Sequence, residues 1–156
     1  MRELTWHAES QADTERLGAT LAHALSPGTT VALCGPLGAG KTRLVQAIAV
    51  ALGVNRGDIT SPTFVLCNEY HGQRTLYHLD AYRIADDDEF LALGPEEFFE
   101  SDGLTLVEWA DRVMACLPRD RLEIHIEVQG PAARVFTLRG RGDTARKSLA
   151  DLARRL

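Results

Sequence analysis

The chain has 156 residues, 45% of them hydrophobic and 25% charged, with a formal net charge of −5, a balance that suits one soluble domain able to bury a hydrophobic core. The acidic total argues against tight direct binding to nucleic acid, which needs a basic footprint, and no apolar run approaches the ~18 residues of a membrane span. The three cysteines (Cys34, Cys67, Cys116) are scattered, with no C-x-x-C pair for metal or redox work, and so sparse and odd a count fits a reducing compartment, the cytoplasm.

The opening MRELTWHAES has no apolar stretch of the kind a secretory leader needs. Leu17, Leu21 and Leu25 then recur every fourth residue and predict an amphipathic helix, N-capped by Ser10 and stopped at Ser26-Pro27-Gly28. TTVALC predicts a short buried strand that feeds GPLGAGKT. The helix expected next carries Leu44, Val45, Ile48 and Leu52 on one face, with Gly53 as its C-terminal cap. TFVLCNEY and TLYHLD flank HGQR as a β-hairpin.

From Asp86 to Asp102 the chain holds eight acids and no Lys or Arg, as short helices broken at Gly94-Pro95. Such a run is usually a solvated face, with a docking surface for a partner as the alternative. LTLVE, Leu104 to Glu108, is a further buried strand. In LEIHIEV the residues Leu122, Ile124, Ile126 and Val128 alternate onto one face, and RVFTL pairs with it across QGPAA. A last helix presents Ala145, Leu149, Leu152 and Leu156, with cations near its end as the helix dipole favours. This alternation predicts one α/β domain over residues 1–156, and its hairpins require a mixed sheet.

Gly35, Gly40, Lys41 and Thr42 satisfy G-x-x-x-x-G-K-[ST] between a strand and a helix. Glycines at these points let successive backbone N–H groups converge on one phosphate, and the helix start adds its positive dipole end. Lys41 can reach the β- and γ-phosphates, and the Thr42 hydroxyl can ligate Mg²⁺. A second glycine pattern, GRGDTA from Gly140 to Ala145, resembles a dinucleotide fingerprint. It lacks the further strand and the acid about 20 residues on that such a site requires.

A phosphate loop of this kind draws a metal-side acid from the end of a neighbouring strand. Asp80 and Glu108 both end apolar strands. If residues 64–80 form an antiparallel hairpin, LTLVE is free to lie parallel to TTVALC, which sets Glu108 beside Thr42. Asp80 then belongs to a mobile element nearby, positioned to bind metal-held water or to orient the attacking one. Taken singly, either acid could be an exposed strand-end carboxylate. His78 could orient phosphate, pair with Asp80, or lie on a strand surface. Trp109 could be a packing aromatic or a nucleotide or partner contact. SPTF, with Ser61 and Thr63, would suit a switch loop that senses the γ-phosphate.

The ordered set LCGPLGAGKT (33–42), SPTF (61–64), NEY (68–70), HLDAYR (78–83) and EWADR (108–112) resembles the TsaE (YjeE) family, bacterial P-loop ATPases required to make threonylcarbamoyladenosine in tRNA. The resemblance runs from the first helix through the final hairpin and assigns no role after Gly140. It implies a P-loop NTPase-like three-layer sandwich and a Mg²⁺-dependent ATPase that is slow without its partners. Gly35 and Leu37, Gly38, Ala39, Gly40, Lys41 and Thr42 would wrap the phosphates of ATP or ADP, with Thr42, Glu108 and Asp80 around Mg²⁺. Asp80 would be needed for hydrolysis, Trp109 would sit close to the nucleotide, and Ser10 and Arg134 would approach the rest of it. Thr63 would lie in a switch-like loop. The implied partner is a TsaB–TsaD-type complex, in which TsaD performs the carbamoyl transfer and ATP hydrolysis resets the complex between turnovers. tRNA would be reached only indirectly.

Three rivals from other classes have sequence signatures of their own. A guanine-nucleotide switch needs N-K-x-D, which the chain lacks. A small-molecule kinase would close an Arg-rich lid, whereas Arg112, Arg119, Arg121, Arg139 and Arg141 are dispersed. A non-hydrolysing binding module would keep Lys41 and dispense with Asp80 and Glu108.

Overall fold

The short apolar run TVALC becomes strand β2 (Thr30–Cys34), and every one of its residues is buried. A strand buried on both faces belongs at the centre of a sheet. In the computed structural model, which describes residues 1–60 and 67–156, β2 lies between β5 (Leu104–Glu108) and β6 (Arg121–Val128), parallel to both. Beyond β5, strand β4 (Thr75–Asp80) is again parallel, and β3 (Cys67–His71) closes that edge as the other arm of a hairpin. Beyond β6, strands β7 (Arg134–Arg141) and β1 (Glu3–Ala8) run antiparallel. The result is one seven-stranded mixed sheet in the order β1-β7-β6-β2-β5-β4-β3.

Alternate residues of a strand face opposite sides, so β2 divides its side chains between two cores. Val31 and Leu33 join α1 (Gln11–Ala24), α2 (Lys41–Ala51) and α5 (Asp143–Arg155) on one face. Ala32 and Cys34 join Phe90 of α3 (Asp87–Leu91) and the segment 110–117 on the other, with Phe98 and Phe99 of α4 (Glu96–Phe99) packed alongside. Helices therefore cover both faces, giving the expected three-layer, P-loop NTPase-like sandwich. Asp86 caps α3 by accepting the Glu89 N–H at 2.9 Å, and the acidic run forms the two short helices foreseen. No helix among the described residues is long and apolar enough to cross a membrane.

One difference from the sequence reading has a plain physical cause. Strand β1 was not foreseen, although Leu4, Trp6 and Ala8 alternate inward; at a sheet edge only one face needs to be apolar, and the intervening Glu3, Thr5 and His7 mask the pattern. The glycine pattern at 140–145 is filled by protein: Asp120 accepts the N–H groups of Thr144 and Ala145, each at 2.9 Å. Its carboxylate occupies the anion position at the start of α5. The SPTF segment, with Ser61 and Thr63, lies outside the described residues.

Candidate phosphate-binding site

Cys34 ends β2 and the next residues turn back under the start of α2. Gly38 and Gly40 adopt φ of 78° and 110°, left-handed values that a side chain would strain. The loop is closed by the Ala39 N–H donating to the Pro36 carbonyl at 3.1 Å. Gly40 is the N-cap of α2 and supplies no side-chain cap, so the first N–H groups of the helix have no side-chain acceptor from it. Gly35 sits beneath the loop, where a Cβ would meet the Ile126 carbonyl at 2.9 Å.

Lys41 is only 4% exposed. Its Nζ donates to the carbonyls of Gly35 at 2.6 Å and Pro36 at 2.9 Å and lies 3.8 Å from the centroid of the Trp109 ring, a cation–π contact. Burial pushes its pKa below the usual lysine value, opposed by Glu108 and other carboxylates nearby. Thr42, one residue on, donates its hydroxyl to Glu108 Oε1 at 2.8 Å. Parallel pairing of β2 and β5 brings Glu108 level with Leu33 and beside Thr42, as the strand order predicts.

Asp80 differs from its expected setting. It is the last residue of a sheet strand and is paired in register with Glu108 on β5, rather than sitting on a separate mobile element. Its Oδ1 accepts the Tyr82 N–H at 2.9 Å. Burial raises its pKa above the usual aspartate value, with a further upward push from Glu108 and a downward one from the Tyr82 N–H. His78 is neither on the surface nor paired with Asp80. It is fully buried, and its Nε2 meets Glu108 Oε2 at 2.5 Å.

Lys41, Thr42, Asp80 and Glu108 line a pocket of about 360 Å³. Residues 37–43 form one wall; Asp80, Tyr82, Glu108 and Trp109 form the other. Trp109 has φ of 56°, the only non-glycine residue with positive φ among the described residues. Such backbone outliers gather where surrounding structure holds them for a purpose. Its ring packs on Tyr82 at 4.9 Å between centroids. Tyr82 is a site residue the sequence reading did not single out; its signal was an aromatic two positions after a strand-end acid.

Arg134 stands on the far flank of the loop. The Arg134 guanidinium donates to four backbone carbonyls, those of Ala39, Gly130 and Ala133 at 2.9 Å and that of Gly38 at 3.4 Å. Drawing the Ala39 carbonyl outward turns the N–H on the opposite side of the same planar peptide, that of Gly40, the other way. Arg134 also lines a smaller hollow of about 150 Å³ with Gln11 and Thr14. Ser10, exposed and one position before Gln11, lines neither this hollow nor the main pocket.

Comparison with known proteins identifies this arrangement. The family model described as threonylcarbamoyl adenosine biosynthesis protein TsaE matches residues 8–136. The tRNA threonylcarbamoyladenosine biosynthesis protein TsaE of Treponema pallidum is 39% identical over 131 residues, covering 84% of this chain and 96% of that protein. Its namesake from Bacillus subtilis is 36% identical over 155 residues, covering 99% and 96%. A crystal structure of YdiB from Bacillus subtilis matches with a TM-score of 0.82 at 33% identity, covering 98% of this chain and 95% of that one. The matched span contains the glycine loop, both strand-end acids and Trp109, and the chain belongs to the TsaE family.

Proposed function

We propose that this chain is the ATP-binding and ATP-hydrolysing component of tRNA N6-threonylcarbamoyladenosine biosynthesis. In this reading it works in the cytoplasm on a TsaB–TsaD-type partner complex and does not itself modify tRNA. The observation that carries the reading is the convergence of Lys41, Thr42, Asp80 and Glu108 on one pocket in a member of the TsaE family. A net charge of −5 supports the indirect relation to tRNA, since phosphate-rich partners favour basic surfaces.

The donor set fits Mg²⁺. Among the described residues no group of three His, Cys, Asp or Glu side chains forms a metal cage, and Mg²⁺ needs none. It is usually held by one or two carboxylates with nucleotide phosphates and waters, and the hard oxygens of Thr42, Glu108 and Asp80 are of that kind. Bound there, it would neutralise charge developing on the phosphate oxygens.

The chain's own residues divide the remaining work. Residues 37–42 cradle the phosphates through backbone N–H groups, and Lys41 exchanges its carbonyl partners for phosphate oxygens. Glu108, fixed through both oxygens, keeps Thr42 oriented. Asp80 has Oδ1 anchored by the Tyr82 N–H and orients the attacking water. Little general-base strength is required, because phosphoryl transfer is catalysed mainly by positioning and charge.

Calorimetry with ATP, combined with phosphate release with and without Mg²⁺, tests the reading. Wild type binds ATP and releases phosphate only with Mg²⁺. Lys41→Ala weakens binding roughly 10- to 100-fold, the loss expected for charge-assisted hydrogen bonds. Asp80→Ala keeps binding and loses hydrolysis. Equal ATP affinity in wild type and Lys41→Ala contradicts the phosphate-cradle role, and transfer of phosphate only to an added acceptor would indicate a kinase.

A further inference from the structure

Glu108 is a carboxylate only 3% exposed, and its two oxygens are held by different elements. Oε1 accepts the Thr42 hydroxyl from α2, and Oε2 meets Nε2 of His78 from β4. His78 is itself fully buried in mid-strand, two residues before Asp80 and on the same face of the sheet. Its Nδ1 has no hydrogen-bond partner among the described residues. A ring proton on Nδ1 would go unused, whereas on Nε2 it is donated to a carboxylate, so the Nε2–H tautomer is the one that satisfies the site.

The arrangement has a steric and an electrostatic consequence. A carboxylate held at one oxygen can pivot about that bond; held at both, from neighbouring elements, it cannot. Asp80 lies opposite Glu108 in register, so an unrestrained Glu108 would also be driven by repulsion between the two carboxylates. The Nε2–H donor holds Glu108 against that push.

We propose that His78 is a positioning residue of the phosphate site, whose Nε2–H locks Glu108 onto the Thr42 hydroxyl and so sets the affinity for the divalent cation that accompanies the nucleotide. The proposal rests on the reading of Thr42 and Glu108 given under the proposed function. Removing an outer partner of a metal-holding group commonly costs roughly 10- to 100-fold in metal affinity.

The test is calorimetric binding of ADP in EDTA and at stepped Mg²⁺ concentrations, for wild type and for His78→Gln, His78→Asn and His78→Leu. Glutamine carries its amide donor to about the position of Nε2; asparagine stops short, and leucine has no donor. His78→Gln keeps the wild-type Mg²⁺ midpoint, while His78→Asn and His78→Leu raise it roughly 10- to 100-fold. All three keep the wild-type affinity in EDTA, which reports an intact loop. Wild-type midpoints in the asparagine and leucine variants overturn the proposal, as does a loss of EDTA affinity that parallels the loss with Mg²⁺. If the leucine variant does not fold, equal midpoints for Gln and Asn overturn it. Wild-type protein that binds no ADP, or binds it without regard to Mg²⁺, overturns the functional reading itself and this proposal with it.

Discussion

Two acids end adjacent parallel strands, yet their surroundings give them different properties. Glu108 is held at both oxygens by Thr42 and His78, whereas Asp80 is anchored at one, with burial raising its pKa above the usual 3.8. A carboxyl that binds its proton more tightly in the folded than in the unfolded state lowers stability as pH rises from about 3.8 through its folded pKa. Asp80→Asn keeps an acceptor for the Tyr82 N–H and removes the buried charge. We therefore expect a higher Tm than wild type at neutral pH, with the difference shrinking as the pH falls toward that of an ordinary aspartate; a difference constant across the range would contradict the assignment. On the proposed role of Asp80, that stability comes at the expense of hydrolysis. Both acids were legible in the sequence as carboxylates that end apolar runs. The pairing of His78 was not, because β4 is covered on both faces, with Leu76 and Leu79 in opposite cores, and alternation then says nothing about which partner a buried histidine meets.

The site depends on how closely α1 packs on α2, the helix that begins at Lys41. A Cβ at Gly18 of α1 would lie 2.5 Å from the Ala47 Cβ and 3.2 Å from the α2 backbone. By propensity alone Gly18→Ala should stabilise a helix; here overpacking wins, at about 1–3 kcal/mol, or several degrees in Tm for a chain of this length. Thermal denaturation checks the sign, and an unchanged or raised Tm would show that α2 yields freely. At this scale most of the fold was legible: the loop-flanking strand and helix, both hairpins and the parallel placement of LTLVE follow from apolar spacing and turn residues. The unforeseen β1 is an edge strand held through β7, so its register is a long-range property. The capping of α5 by Asp120 is equally non-local: spacing alone excludes GRGDTA as a dinucleotide site, but only the fold shows which residue fills it.

Over the whole molecule, charge is segregated. Helices α3 and α4 turn Phe90, Phe98 and Phe99 toward the core, and Asp86, Asp87, Asp88, Glu89, Glu96, Glu97 and Glu100 are exposed. An acidic surface of this kind repels the phosphates of tRNA. We expect no retained tRNA in a gel-shift at about 0.15 M salt, where phosphate contacts are already weakened; tight, salt-sensitive binding by the chain alone would contradict the indirect role. The most direct test of the account is mass spectrometry of tRNA nucleosides from cells depleted of this chain and complemented with wild type or Asp80→Ala. Threonylcarbamoyladenosine is expected to be lost on depletion, restored by wild type and not restored by Asp80→Ala. Modification that persists without the chain, or that Asp80→Ala restores in full, would contradict the proposed role.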